Sequence, residues 1–242
     1  MQQAERDDLD FVPGQSIPHH ALDHLVSLQG VSRYFGRRKG RKMVLRDVNL
    51  RVGAATATWI GGRNGAGKTT LLRIATGILA PDAGHVTIDG ISPDQGWREF
   101  HRRVGFLSAG DRGLYARLSV RGHLEFCAAV AFVPRHIRKQ VVDEALAKFG
   151  LAELAGRRAE RLSQGQRQRL RLALTVVHGP KVLLLDEPHN SLDTEGLEML
   201  GAAIGEVLAR HGAVIWCSPP GESQPVEFDQ KLLLVEGRLH SA

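Results

Sequence analysis

Cysteine is nearly absent. Cys127 and Cys217 are the only two, too few for a disulfide framework or a cysteine-built zinc site, so a reduced compartment is the default expectation. Long apolar runs are missing as well: stretches such as Cys127 to Val133 and Val182 to Leu185 fall far short of the roughly 20 residues a bilayer requires. The first segment is acidic and broken by Pro13 and Pro18, unlike the charged-then-apolar layout of a signal peptide. The expectation is a protein that stays where it is made, any membrane role falling to a separate membrane subunit. Aromatics make up only 5% of the 242 residues, but 43% hydrophobic and 24% charged residues exclude a disordered or fibrous chain. An acidic excess is lacking too. Lys and Arg outnumber Asp and Glu by 32 to 26, a net +6, which suits nucleic acid, nucleotide phosphates or an anionic membrane surface without choosing among them. The length has room for one well-packed α/β domain or two small ones.

The segment 1–23 is polar and aperiodic and reads as a flexible tail. His19, His20 and His24 offer metal ligands there, against the plainer reading of a solvated tail. Leu25 to Leu28 reads as a short strand and Val44 to Val52 as another. Between them the basic stretch Arg37 to Lys42, with Gly40 inside it, reads as a solvated hairpin end or as a contact for phosphates or anionic head groups. A strand over Ala55 to Ile60 leads into a glycine-rich stretch, then a helix from Lys68 to Leu79 whose apolar face is Leu71, Leu72, Ala75, Ile78 and Leu79. Pro81 to Gly84 stops it. The middle, about 92 to 165, reads as a mostly helical insert. Ser119 is an N-cap for a helix to Ala131, and a second helix from Arg135 to Phe149 ends at Gly150. A buried parallel strand at Val182 to Leu185, a helix from Thr194 to Arg210 and strands at Val214 to Cys217 and Lys231 to Val235 follow. Alternating helices and strands favour a parallel α/β core.

Gly62-Arg63-Asn64-Gly65-Ala66-Gly67-Lys68-Thr69 matches G-x-x-x-x-G-K-[ST] at every fixed position. The glycines let the backbone bend around a phosphate, and the following helix adds its positive N-terminal end. Lys68 is placed to reach the β- and γ-phosphates, Thr69 to ligate Mg²⁺ and Thr70 to line the same turn. Leu183-Leu184-Leu185-Asp186-Glu187-Pro188 delivers two carboxylates to the carboxyl edge of a sheet, where ligands bind in open α/β folds. Asp186 suits Mg²⁺, and Glu187 suits the polarisation of an attacking water.

Leu162-Ser163-Gln164-Gly165-Gln166 resembles the signature of the ATP-binding cassette family, and the three motifs stand in that family's order. The resemblance runs from about Leu25 to the C-terminus. It implies an α/β fold: a P-loop NTPase core with a mostly parallel sheet, an antiparallel β subdomain and a helical insert, in a single nucleotide-binding domain over 24–242. It implies ATP and Mg²⁺ as cofactors, a membrane-spanning transporter subunit and a second cassette as partners, and a cytoplasmic place on the inner face of the cell membrane. In that family two cassettes sandwich two ATP molecules, the serine and glycine of each signature meeting the γ-phosphate held by the opposite cradle. Ser163, Gly165 and Gln166 take those positions here. A plain helix cap is the simpler reading of the same turn. Phe35 looks like the family's adenine-stacking aromatic, with Tyr34 as the alternative, and Ser191-Leu192-Asp193 is similar to the loop coupling the two sites. Gly113 to Arg121 looks like the segment entering the helical domain of export-type cassettes, which implies export.

Two departures stand out. Where the family carries a glutamine, Val104-Gly105-Phe106-Leu107 is followed by Ser108-Ala109-Gly110-Asp111; Asp111 or Ser108 is left to substitute through water. The family's histidine after the strand Val214 to Cys217 is replaced by Pro219, which has no side-chain donor and no N–H. His189 and His211 read better as loop and helix-end residues. The departures predict intact ATP binding, slow hydrolysis at this chain's own cradle, and a signature able to complete a partner's site. Two rivals remain: a non-transport cassette acting on nucleic acid or ribosomes, disfavoured because the length leaves no room for long coiled coils, tandem cassettes or zinc modules, and a regulatory cassette that binds ATP without turning it over.

Overall fold

The computed structural model describes residues 24–36, 40–110, 113–221 and 226–242. The tail 1–23 with His19 and His20, residues 37–39 of the basic loop, and Asp111 lie outside them. The chain runs through β1 (Val26–Phe35), β2 (Lys42–Val52), β3 (Thr56–Gly61), α1 (Lys68–Ala75), β4 (Ala83–Ile88), α2 (Trp97–Arg102), β5 (Val104–Leu107) and α3 (Val120–Val130). It continues with α4 (Arg135–Lys148), α5 (Gln164–Val176), β6 (Val182–Asp186), α6 (Thr194–Ala209), β7 (Ala213–Ser218), β8 (Gln230–Val235) and β9 (Arg238–Ser241).

Two sheets result. The smaller is antiparallel, in the order β2-β1-β4. β1 extends well past the expected Leu25 to Leu28, because register shifts after Leu28, Val31 and Arg33 scramble its alternation. β4 was hidden by its turn-like beginning. Gly84 stands at φ +78°, and a Cβ there would collide with the Gln29 carbonyl of β1, so a residue type that usually marks a turn serves a close strand approach instead.

The larger sheet has the order β5-β6-β7-β3-β8-β9. Its first five strands are parallel, and β9, which no sequence pattern announced, closes antiparallel on β8. β6 and β7 are buried at every residue, as strands covered on both faces are. One face packs Leu71, Leu72 and Ile74 of α1 against Ile60, Leu184 and Ile215. The other packs Leu124, Leu146, Leu170 and Ile204 of α3 to α6 against Leu185, Val214 and Trp216. At about 1.5–3 kcal/mol for each buried large apolar side chain, these two layers fix the sheet's position.

Local signals set several helix ends. The Ser119 hydroxyl accepts the Gly122 N–H at 3.0 Å at the start of α3, and Gly150 at φ +60° follows the end of α4. α1 is shorter than expected. It stops at Ala75 rather than Leu79, because Gly77 turns to φ +74° and Thr76 and Gly77 donate to Leu72 and Ile74 carbonyls, leaving Ile78 exposed. Within 92–165, expected as helical, β5 is a strand of the large sheet and Phe100 of α2 is fully buried in the α1-side layer. Among the described residues no helix is long and apolar enough to cross a membrane.

Candidate functional site

β3, β5, β6 and β7 are parallel, so their carboxyl ends share one edge. Register aligns Gly61 with Ser218, Asp186 with Cys217 and Leu107 with Leu185. The segments that follow those strands therefore emerge together: the glycine-rich turn, Ser108-Ala109, Glu187 and Pro219.

The turn 62–67 carries β3 into α1. Gly65 (φ +79°) and Gly67 (φ +110°) occupy the left-handed region that favours glycine. A Cβ on Gly62 would lie 2.8 Å from the Leu234 carbonyl oxygen. The Ala66 N–H donates to the Arg63 carbonyl at 3.0 Å, and Leu71 N–H to Gly67 at 2.8 Å begins the helix. No acidic residue occupies the first turn of α1, so its N-terminal end stays attractive to an anion. Lys68 is only 5% exposed; its Nζ donates to the Gly62 carbonyl at 2.7 Å and lies 3.6 Å from Glu187 Oε1. Phe35, Val44, Asn64, Gly65, Gly67, Lys68, Thr69, Thr70 and Glu187 line a cleft of about 470 Å³. Of the two candidate aromatics, Phe35 is the one on this cleft. Tyr34 packs under the Arg41 guanidinium at 4.1 Å, its N–H held by Asp82.

Asp186 is 1% exposed at the end of β6. Burial pushes its carboxyl above the ordinary aspartate range, and Glu187 adds to that push; the Thr69 hydroxyl, Lys68 and the Ala109 amide pull the other way. Those polar neighbours are close, yet neither carboxylate oxygen has a partner at hydrogen-bonding geometry. A buried carboxylate with both oxygens open beside a threonine hydroxyl fits a hard divalent cation, which accepts one or two protein oxygens when phosphates supply others. Glu187 follows with φ 48°, an uncommon conformation for a non-glycine residue, held where its N–H donates to the Cys217 carbonyl at 2.8 Å. Cys217 is fully buried, which raises its thiol far above the usual range and makes it inert.

The remaining candidates form a second group. Ser163 caps α5 reciprocally with Gln166: its hydroxyl accepts the Gln166 N–H at 3.2 Å, and Gln166 Oε1 accepts the Ser163 N–H at 3.0 Å. A Cβ on Gly165 would sit 3.2 Å from Asp193 Oδ2. Asp193 caps α6 through the Gly196 N–H at 2.8 Å and lies 3.7 Å from Arg169. None of Ser163, Gly165, Gln166 and Asp193 lines the cleft. His189 stacks on Trp216 with ring planes 5° apart, and His211 follows the C-cap of α6 at φ 57°. A residue the motifs did not single out is Arg171, buried on α5 and donating to Ser108. Its signal was an arginine embedded in Leu170-Arg171-Leu172-Ala173, where a helix turns its inner face.

Comparison with known proteins adds a family. A family model described as "ABC transporter" matches residues 45–190. The chain is 28% identical over 215 residues to the ABC transporter ATP-binding protein NatA of Bacillus subtilis, covering 89% of this chain and 87% of NatA. It is 34% identical over 217 residues to the probable multidrug ABC transporter ATP-binding protein YbhF of Escherichia coli, covering 90% of this chain but only 37% of that protein's length. The methionine import ATP-binding protein MetN of Symbiobacterium thermophilum is 35% identical over 197 residues, 79% of this chain and 58% of MetN. Among solved structures, a dimeric ATP-binding cassette in a post-hydrolysis state with ADP and Pi superposes with a TM-score of 0.78 at 22% identity, over 89% of this chain and 98% of that one.

Proposed function

The chain belongs to the ABC transporter family, and from that premise we propose that it is the ATP-binding subunit of a transporter, driving export through a separate membrane-spanning subunit. The observation that carries this reading is the convergence of the glycine turn, Lys68 and the Asp186–Glu187 pair on one sheet edge. Backbone N–H groups of residues 62–67 and the α1 N-terminus bind the phosphate chain of ATP, and Lys68 neutralises its β- and γ-oxygens. Phe35 offers its ring to the base, a stacking contact of about 0.5–1.5 kcal/mol. Thr69 and Asp186 are the residues to hold Mg²⁺, which when bound offsets the negative charge of the phosphates. Glu187 orients the attacking water and accepts its proton.

The cleft is open, and exposed Ser163 with half-buried Gly165 and Gln166 lies away from it at the start of α5. That separation supports a dimer in which each signature closes the other chain's cleft, and Asp193, beside Gly165, sits where it links the two. A superposable cassette solved as a dimer points the same way. Tyr115 and Phe126, 64% and 49% exposed at the entry to the helical layer, support a docking surface for the membrane subunit and, with it, a position for the chain on the cytoplasmic face of the cell membrane. Relatives include import and multidrug proteins, so the direction rests on the export-like segment 113–121.

Pro219 favours a slower site. It follows β7 at the sheet edge beside the cradle and brings no donor for the γ-phosphate. One missing donor of this kind costs about 10²–10³ in rate, so the chain binds ATP well, hydrolyses it slowly and completes a partner cassette's cleft. Phosphate release by the full chain, alone and with a multi-spanning protein co-purified from membranes, tests this. Slow release accelerated by the membrane protein supports it. Fast release by the chain alone contradicts the slow site, and the absence of any membrane partner contradicts the transport role.

A further inference from the structure

The helix that begins at the Ser163 turn also reaches the loop that leaves β5. Arg171 on α5 is 7% exposed. Its guanidinium donates to the Ser108 carbonyl oxygen, to Ser108 Oγ at 3.3 Å and to Gln168 Oε1 at 2.9 Å. Ser108 and Ala109 directly follow β5, whose Leu107 is in register with Leu185, so they run beside Asp186. The Ala109 amide is near enough to draw the Asp186 carboxyl downward against the effect of burial.

Burying a guanidinium is costly unless its donors are satisfied, and the neighbours Leu170, Leu172 and Ala173 show that an apolar side chain suits this stretch of helix. Stability alone therefore does not call for an arginine. What the arginine adds is geometry: its planar fork fixes two acceptors at once, one on its own helix and one on the loop, which a flexible ammonium cannot reproduce. The loop it holds is the one lacking the family's glutamine, so its backbone rather than a long side chain faces Asp186.

We propose that Arg171 is a positioning residue for the divalent-cation site, fixing the Ser108–Ala109 backbone beside Asp186 and tying the signature helix to the metal-holding carboxylate. The proposal rests on the reading of the chain as an ATP-binding subunit. Arg171 acts through Ser108, which it holds directly, and through Ala109, which follows it.

Calorimetric titration of ATP into the full chain, in EDTA and across a Mg²⁺ series, tests it with the wild type, Arg171→Met and Arg171→Lys. In Arg171→Met, ATP affinity in EDTA stays within about twofold, while the Mg²⁺ concentration giving half of the Mg²⁺-dependent tightening rises about tenfold, the usual cost of losing an outer-shell support. Arg171→Lys, which keeps charge and reach but loses the fork, shows a smaller rise. A cooperatively melting Arg171→Met with the wild-type Mg²⁺ requirement overturns the proposal. If Arg171→Met does not fold, an unchanged requirement in Arg171→Lys overturns it equally; if neither folds, Arg171 is a structural residue and the proposal fails. A wild-type chain that binds no ATP in either condition overturns the functional reading beneath it, a result separable from the others.

Discussion

Lys68 Nζ lies 3.6 Å from Glu187 Oε1 while donating to the Gly62 carbonyl at 2.7 Å, so the cradle's ammonium and the carboxylate proposed to polarise the attacking water are neighbours in one cleft. The lysine comes from the start of α1 and the glutamate from beyond β6, brought together by the parallel register of β3, β7 and β6.

Glu187→Gln separates binding from chemistry at this contact. The amide keeps the side chain's shape but accepts no proton, so ATP affinity changes less than about threefold and turnover falls by at least about 10²-fold. Equilibrium binding together with phosphate release measures both.

Asp186→Asn is expected to stabilise the nucleotide-free chain while abolishing its response to Mg²⁺. Burial raises the Asp186 carboxyl above the ordinary aspartate range, so between the ordinary value and the raised one the folded chain binds more protons than the unfolded chain. Stability from this group is therefore lost as pH rises through the window and stays lost at neutral pH. Removing the charge restores it, with about 2–4 °C in Tm for each kcal/mol gained. Thermal melts at pH 7 with and without Mg²⁺-ATP check both halves.

His123 gives the fold an acid sensitivity of the opposite sign. Its Nε2 accepts the Tyr115 N–H at 2.8 Å, which assigns the proton to Nδ1, 2.8 Å from the Ser119 carbonyl. Burial holds its pKa below 6.5, so the unfolded chain binds the extra proton first and stability falls as pH drops below about 6.5. His178, half-buried and lowered by desolvation, acts in the same direction. His123→Gln is expected to flatten the fall of stability with pH below about 6.5, read from urea midpoints.

Pro219→His restores a donor at the end of β7. Turnover of the full chain is expected to rise by about 10²-fold with little change in ATP affinity. Steady-state phosphate release measures the effect; a variant no faster than the wild type places the slow step elsewhere.

The cleft was legible because its parts are local. A glycine turn, a lysine and a strand ending in two carboxylates each carry their chemistry in adjacent residues, and parallel register does the rest. Sequence preferred Phe35 without excluding Tyr34, because bulges in β1 erase the alternation that assigns side chains to faces; the structure puts Phe35 on the cleft. β4 was missed because Gly84 serves a close strand contact rather than a helix stop, and α1 was overrun because apolar periodicity continues through Ile78 after Gly77 has turned the chain. Arg171 escaped notice because its meaning lies in Ser108, 63 residues away.

The most direct test of the account is calorimetry of Mg²⁺-ATP with the full wild-type chain and with Lys68→Ala. Saturable heat with the wild type, lost or weakened at least about tenfold when the ammonium is removed, is the predicted result. No heat with the wild type, or the same heat with Lys68→Ala, would contradict it.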